Sequence, residues 1–152
     1  MSHPVPNHDD SRARLGQLSD LAREVLRDCA ARGATQAEVS CSEDTGLTVN
    51  VRLGDVETVE STRDRGIGVT VYFGKRKGSA STADLREESL EATVEQACAI
   101  ARFTEDDEAA GLADAALMAR EFPDLDVWHP WALDMDRAVD LAMSRRIVEA
   151  CL

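Results

Sequence analysis

Three histidines, four cysteines and two charged clusters are the side chains of this 152-residue sequence whose types and spacing bear on chemistry. His3 and His8 stand five apart, which suits no helical metal pair, and both fall in a proline-bearing N-terminal stretch with no preorganised geometry. His129 lies between Trp128 and Pro130; its imidazole could serve as ligand or base, and the plainer reading is a packed loop histidine. Cys29, Cys41, Cys98 and Cys151 are far apart, so no Cys-x-x-Cys zinc or redox motif exists, and they read as buried reduced thiols acting as small hydrophobes. The sequence holds no His-Glu-x-x-His zinc helix, no Gly-x-Ser-x-Gly elbow and no P-loop. Gly66-Ile67-Gly68 lacks the third glycine of a phosphate loop, and a strand pattern follows it where a helix should begin.

The charged clusters are Arg63-Asp64-Arg65 and Lys75-Arg76-Lys77. The first could hold a carboxylate or could simply be solvated turn charges. The second is a basic tip followed by small polar residues, Gly78, Ser79, Ala80, Ser81 and Thr82, in an otherwise acidic protein. Two readings are open: a hairpin whose lysines guard an edge strand, or an open edge at Gly78 to Thr82 that takes up an extended peptide by β-augmentation.

Positioning these residues falls to the stretch from Glu38 to Ala83. Leu47, Val49, Val51 and Leu53 alternate with polar residues, as do Ile67, Val69, Val71 and Phe73, the period of a half-buried strand. Ala37, Val39 and Cys41 predict an earlier strand, Val56 to Thr62 a third with broken alternation, and Ser79 to Ser81 a fifth. Turns are expected at Glu43-Asp44-Thr45-Gly46, at Gly54-Asp55 in type II′ geometry, at Arg63 to Gly66, and at Gly74 to Gly78. Short links imply antiparallel neighbours.

Helical patterns flank the strands. Leu15, Leu18, Ala22, Val25 and Cys29, widened by Leu21 and Leu26, form an apolar stripe between about Arg12 and Arg32. Asp10 or Ser11 is its expected cap and Gly33 its left-handed stop. Leu90, Val94, Ala97, Cys98 and Ala101 mark a second helix from about Leu85 to Phe103, capped by Thr82 or Asp84. Ala109 to Ala119 is expected to be partly helical. A third helix, capped by Asp134, still runs at Leu152 without a glycine or proline to stop it. The expected organisation is a disordered leader (1–10), an α/β domain (11–120), and a linker with the first helix of a truncated second domain (121–152). The fold class is α+β: an antiparallel β-meander of four to five strands flanked by N- and C-terminal helices.

A formal charge of −12 and a pI near 4.6 argue against nucleic acid and against anionic membrane surfaces as partners. No apolar run reaches bilayer length, and the N-terminus has no secretory pattern, so a soluble, cytoplasmic protein is expected.

The segment Thr45 to Glu60, read with Arg65 to Tyr72 and Arg76 to Thr82, resembles the N-terminal domain of the TldD/PmbA family, in which PmbA is also called TldE. Pro123-Asp124-Leu125-Asp126 and His129-Pro130 look like the PmbA branch. The resemblance implies a bacterial cytoplasmic metalloprotease system that cleaves or trims unfolded and modified peptides. In that family TldD-type subunits carry a His-Glu-x-x-x-His zinc motif late in the chain and pair with PmbA-type subunits, which lack it. The motif has no counterpart here, so no catalytic or metal residue carries over, no cofactor is expected in this chain, and zinc is expected only in the TldD-type partner. The resemblance thus implies a metallopeptidase lineage for a chain without a hydrolytic motif of its own: a non-catalytic, N-terminal part of a PmbA/TldE-like subunit that contributes scaffold or peptide presentation. Its expected partners are a TldD-like subunit or itself, and peptide. The alternatives are a stand-alone peptide-binding module and an inert gene fragment.

Overall fold

A computed structural model describes residues 8–121, 123–125 and 135–144. In chain order it contains α1 (His8–Ala31), β1 (Gln36–Arg52), β2 (Asp55–Phe73), β3 (Arg76–Thr82), α2 (Glu87–Phe103) and α3 (Met135–Ala142). The three strands form one antiparallel sheet in the order β1-β2-β3. The class is therefore α+β as expected, but three strands among the described residues replace the four to five of the meander.

The difference lies at two stretches expected to turn. Glu43-Asp44-Thr45-Gly46 stays extended within β1, and Arg63 to Gly66 stays extended within β2. Turn-prone side chains tolerate extended backbone when a neighbouring strand supplies continuous pairing. Glu43 is held by the guanidinium of Arg14, a partner distant in sequence. At Gly46 a Cβ would stand 2.8 Å from the Thr62 hydroxyl, the end of an exposed side chain. The link between β1 and β2 is Leu53-Gly54 rather than Gly54-Asp55. Both link residues have positive φ, 52° and 86°, which is the type I′ pattern and not the expected II′. The second link, Gly74-Lys75, places a positive φ of 65° only at its first residue, as type II′ requires.

The helices follow their stripes. α1 begins at His8, ahead of the expected cap at Asp10 or Ser11, and Val25 and Cys29 are its buried residues. It closes on Gly33 (φ 90°), whose N–H and that of Ala34 return to the carbonyls of Ala30 and Cys29. In α2 the buried residues are Leu90, Thr93, Val94, Ala97, Cys98 and Ala101, the expected stripe plus one threonine. Before α2, Asp84 accepts the backbone N–H of Arg86, its guanidinium and the Ser89 hydroxyl. These bonds, led by the guanidinium, hold the Asp84 carboxyl well below the usual carboxylate range. Residues 109–119 form turns, not helix, and α3 ends at Ala142 instead of continuing to Leu152; residues 145–152 lie outside the described residues.

The chain divides into two compact units. One comprises residues 14–43 and 65–125 and holds the core: Val25 and Cys29 of α1, Ile67, Val69 and Val71 of β2, and the buried face of α2. Each fully buried valine or isoleucine there contributes about 1.5–3 kcal/mol. The other contains 44–64 together with residues 8–13 and 135–144 of those described. In it the β2 segment 55–64 is exposed throughout, and Leu53 at the hairpin tip is 96% exposed.

Candidate peptide-binding edge

β3 is an outer strand, and its pairing with β2 determines which of its groups are free. Phe73 pairs with Arg76 across a two-residue link, Val71 with Gly78, Val69 with Ala80 and Ile67 with Thr82. In an antiparallel ladder closed by such a link these are the hydrogen-bonded pairs. The backbone N–H and C=O of Lys77, Ser79 and Ser81 therefore point away from the sheet. The same alternation sorts the side chains. Gly78, Ala80 and Thr82 share the helix-facing side with Val71, Val69 and Ile67, while Lys77, Ser79 and Ser81 are exposed.

Of the five candidate residues, Ser79 and Ser81 offer open side chains. Gly78 is buried for a structural reason: a Cβ there would collide with the Ala97 carbonyl and the Ala101 amide of α2, and would lie 2.9 Å from the Ala101 Cβ. Only glycine lets the strand approach the helix so closely. Ala80 is half-buried, and Thr82 accepts the Asp84 N–H through Oγ1. The Ser79 hydroxyl is 2.9 Å from that of Thr70 on β2. Glu38, Ser40, Gly68, Thr70, Ser79 and Ser81 line a shallow depression of about 270 Å³ on this open, hydroxyl-rich face.

The basic tip does something the sequence reading missed. Lys75 Nζ donates to the carbonyls of Glu108 and Ala110, and the Lys75 carbonyl accepts the Asp107 N–H, which fastens the acidic loop after α2 to the β2–β3 link. Arg76 donates to the Arg102 carbonyl and lies 3.8 Å from Asp106. Arg102 in turn stacks over the Phe73 ring at 5.3 Å. Lys77 is the cation of the trio that stays on the open face. The partners of Lys75 are main-chain carbonyls, which carry no residue signature; the acidic run Glu105 to Glu108 was the only hint.

The remaining candidates do not converge. Arg63, Asp64 and Arg65 lie in β2 and not in a turn, and Gly66-Ile67-Gly68 is strand, in keeping with its rejection as a phosphate loop. Cys29 and Cys98 are buried in the core and Cys41 is half-buried. Burial pushes the Cys29 thiol up to about 11, with Cys98 and Asp28 adding to it, so it stays protonated at neutral pH. His8 opens α1, while His3, His129 and Cys151 lie outside the described residues. Among the described residues no group of three or more His, Cys, Asp or Glu side chains could hold a metal ion, and no helix is long and apolar enough to cross a membrane.

Residues 37–101 match a family described as PmbA/TldA metallopeptidase domain 1. The chain is 43% identical over 138 residues to the metalloprotease PmbA homolog of Haemophilus influenzae, covering 89% of this chain and 31% of that protein. It is 47% identical over 106 residues to metalloprotease PmbA of Escherichia coli O157:H7, covering 70% of this chain and 24% of that one. It thus spans about a quarter to a third of the length of these curated relatives. The fold is similar to the crystal structure of TldE from Thermococcus kodakarensis, with a TM-score of 0.59 and 17% identity over 68% of this chain and 23% of that chain.

Proposed function

This chain belongs, through the domain at residues 37–101, to the PmbA/TldD metallopeptidase family, and on that premise we propose that it is a non-catalytic, N-terminal part of a PmbA/TldE-like subunit. It works in the cytoplasm beside a TldD-type subunit that supplies the zinc and the hydrolysis of unfolded or modified peptides. Its contribution is shape: a sheet made rigid by α2, with one edge open for presenting an extended substrate.

The observation that carries this reading is the placement of the family-matched residues. They build the sheet and its covering helix, and they leave the N–H and C=O groups of Lys77, Ser79 and Ser81 directed outward. An extended chain laid along β3 would gain main-chain hydrogen bonds there, with the hydroxyls of Ser79 and Ser81 alongside.

The test is a peptidase assay with zinc, using this chain alone, a TldD-type subunit alone and the two together. Cleavage is expected only where the TldD-type subunit is present, and to rise when this chain is added. Zinc-dependent hydrolysis by this chain alone would overturn the proposal. A second reading, a stand-alone peptide-binding module, rests on the same outward groups; peptide binding that is undiminished without any TldD-type subunit, with no effect on the assembled activity, would favour it.

A further inference from the structure

A second surface lies on the far side of the core from the open sheet face, between α1 and α2. It is a groove of about 400 Å³, within the range of about 300–1,000 Å³ typical of ligand pockets. Its floor is apolar: Leu90 is buried, and Leu21 and Leu85 are partly exposed and pack against the core. Its rim is acidic on both sides, with Glu24 and Asp28 from α1 and Glu87 and Glu91 from α2. Asp28 is bound by Arg32 at 3.0 Å. Glu24, Glu87 and Glu91 are exposed and have no ion pair among the described residues.

We infer that this groove docks a basic amphipathic helix, a protein segment with apolar residues at three- and four-residue steps flanked by lysine or arginine. The floor removes the apolar stripe from water, and three uncommitted carboxylates face the flanking cations. A trough between two helices accepts the ridge of a third. The charge of the chain selects the occupant: at −12, a second copy brings more negative charge to an already negative rim, and an anionic membrane surface is repelled in the same way. This surface is independent of the β3 edge, on the opposite side of the sheet.

The probe is a fluorescent leucine–lysine peptide patterned as an amphipathic helix, titrated into the chain by anisotropy and by amide NMR. One variant combines Glu24→Gln, Glu87→Gln and Glu91→Gln. A control combines Glu88→Gln, Glu105→Gln and Glu108→Gln, exposed positions outside the groove lining that change the net charge equally. The expected result is amide shifts at Leu21, Leu85 and Leu90, binding weakened about tenfold by the first variant, and little change with the control. All six positions are exposed, and each variant removes one carboxylate from the first turn of α2 (Glu87 or Glu88), so the two should melt close to one another. Equal weakening by the two variants, shifts centred elsewhere, dimerisation through the groove, or no binding would each overturn the inference.

Discussion

The two ends of the β1–β2 hairpin carry nearly the same sequence pattern and have opposite fates. At the inner end Ile67, Val69 and Val71 are at most 2% exposed beneath α2 and α1. At the outer end Leu47, Val49 and Val51 repeat that alternation, yet they are only half-buried, and Leu53 is almost fully exposed. Period two reports that a segment is a strand with one apolar face; it does not report what covers that face. Cover comes from partners distant in the chain, and for the inner end these are the stripes of Val25 and Cys29 and of Val94, Ala97 and Ala101.

The contrast makes the two strand glycines unequal, and substitution breaks or confirms it most strongly there. Gly78→Ala drives a methyl group into the main chain of α2, so a loss of about 3 kcal/mol is expected in urea unfolding. Among the described residues Gly46→Ala meets only the Thr62 hydroxyl, an exposed side chain that can rotate away, and about 1 kcal/mol is expected. Equal losses would mean that the outer end is as tightly packed as the inner.

The hairpin tip sharpens the comparison in the other direction. Leu53 has a φ of 52°, a left-handed conformation that costs a leucine about 1–2 kcal/mol and that asparagine adopts more easily. Leu53→Asn is expected to stabilise the chain by about 1 kcal/mol, read as a higher urea midpoint, since nearly all of the leucine surface it removes faces water. An unchanged or lower midpoint would show that the leucine has a contact worth its strain.

The smallest expected effect is at Asp84, on the surface beside the inner end. Its carboxyl is depressed in the fold by Arg86 and Ser89, so its contribution is complete above the ordinary aspartate value near 4 and fades as pH falls toward the lowered folded value. Asp84→Asn should therefore lower the unfolding midpoint slightly at pH 7, and the gap from wild type should narrow below pH 4. A gap that widens with acid would contradict the hydrogen-bonded arrangement.

Local signals made both long helices legible: the stripe of α2 and the stop at Gly33 stand where their spacing puts them, while of the α1 stripe Val25 and Cys29 are buried and Leu15 and Leu26 are exposed. The edge strand was legible in part: Ser79 to Ser81 lie in β3 as expected, but Arg76 to Gly78, expected to turn, are strand as well, and the turn is confined to Gly74-Lys75. The strand count was not. Glu43 to Gly46 and Arg63 to Gly66 have turn chemistry, yet both stay extended within the long strands β1 and β2. The cap expected at Asp10 or Ser11 misplaces the start of α1, where propensity decides least, and the helix expected to run at Leu152 lies outside the described residues. At the candidate site Ser79 and Ser81 were identifiable as exposed positions. The burial of Gly78 was not, because it follows from the approach of Ala97 and Ala101 across the layer.

The open edge is the part of the proposed function that belongs to this chain alone, and a single substitution isolates it. The Ser79 N–H points away from β2, so Ser79→Pro removes an outward donor without cutting the β2–β3 ladder. Amide NMR of the wild-type chain with an extended peptide should show shifts centred on Lys77, Ser79 and Ser81. The same titration of Ser79→Pro should show an intact spectrum for α2 and the core and no peptide-induced shifts. Peptide binding that survives Ser79→Pro, or wild-type shifts that avoid β3, would contradict the account.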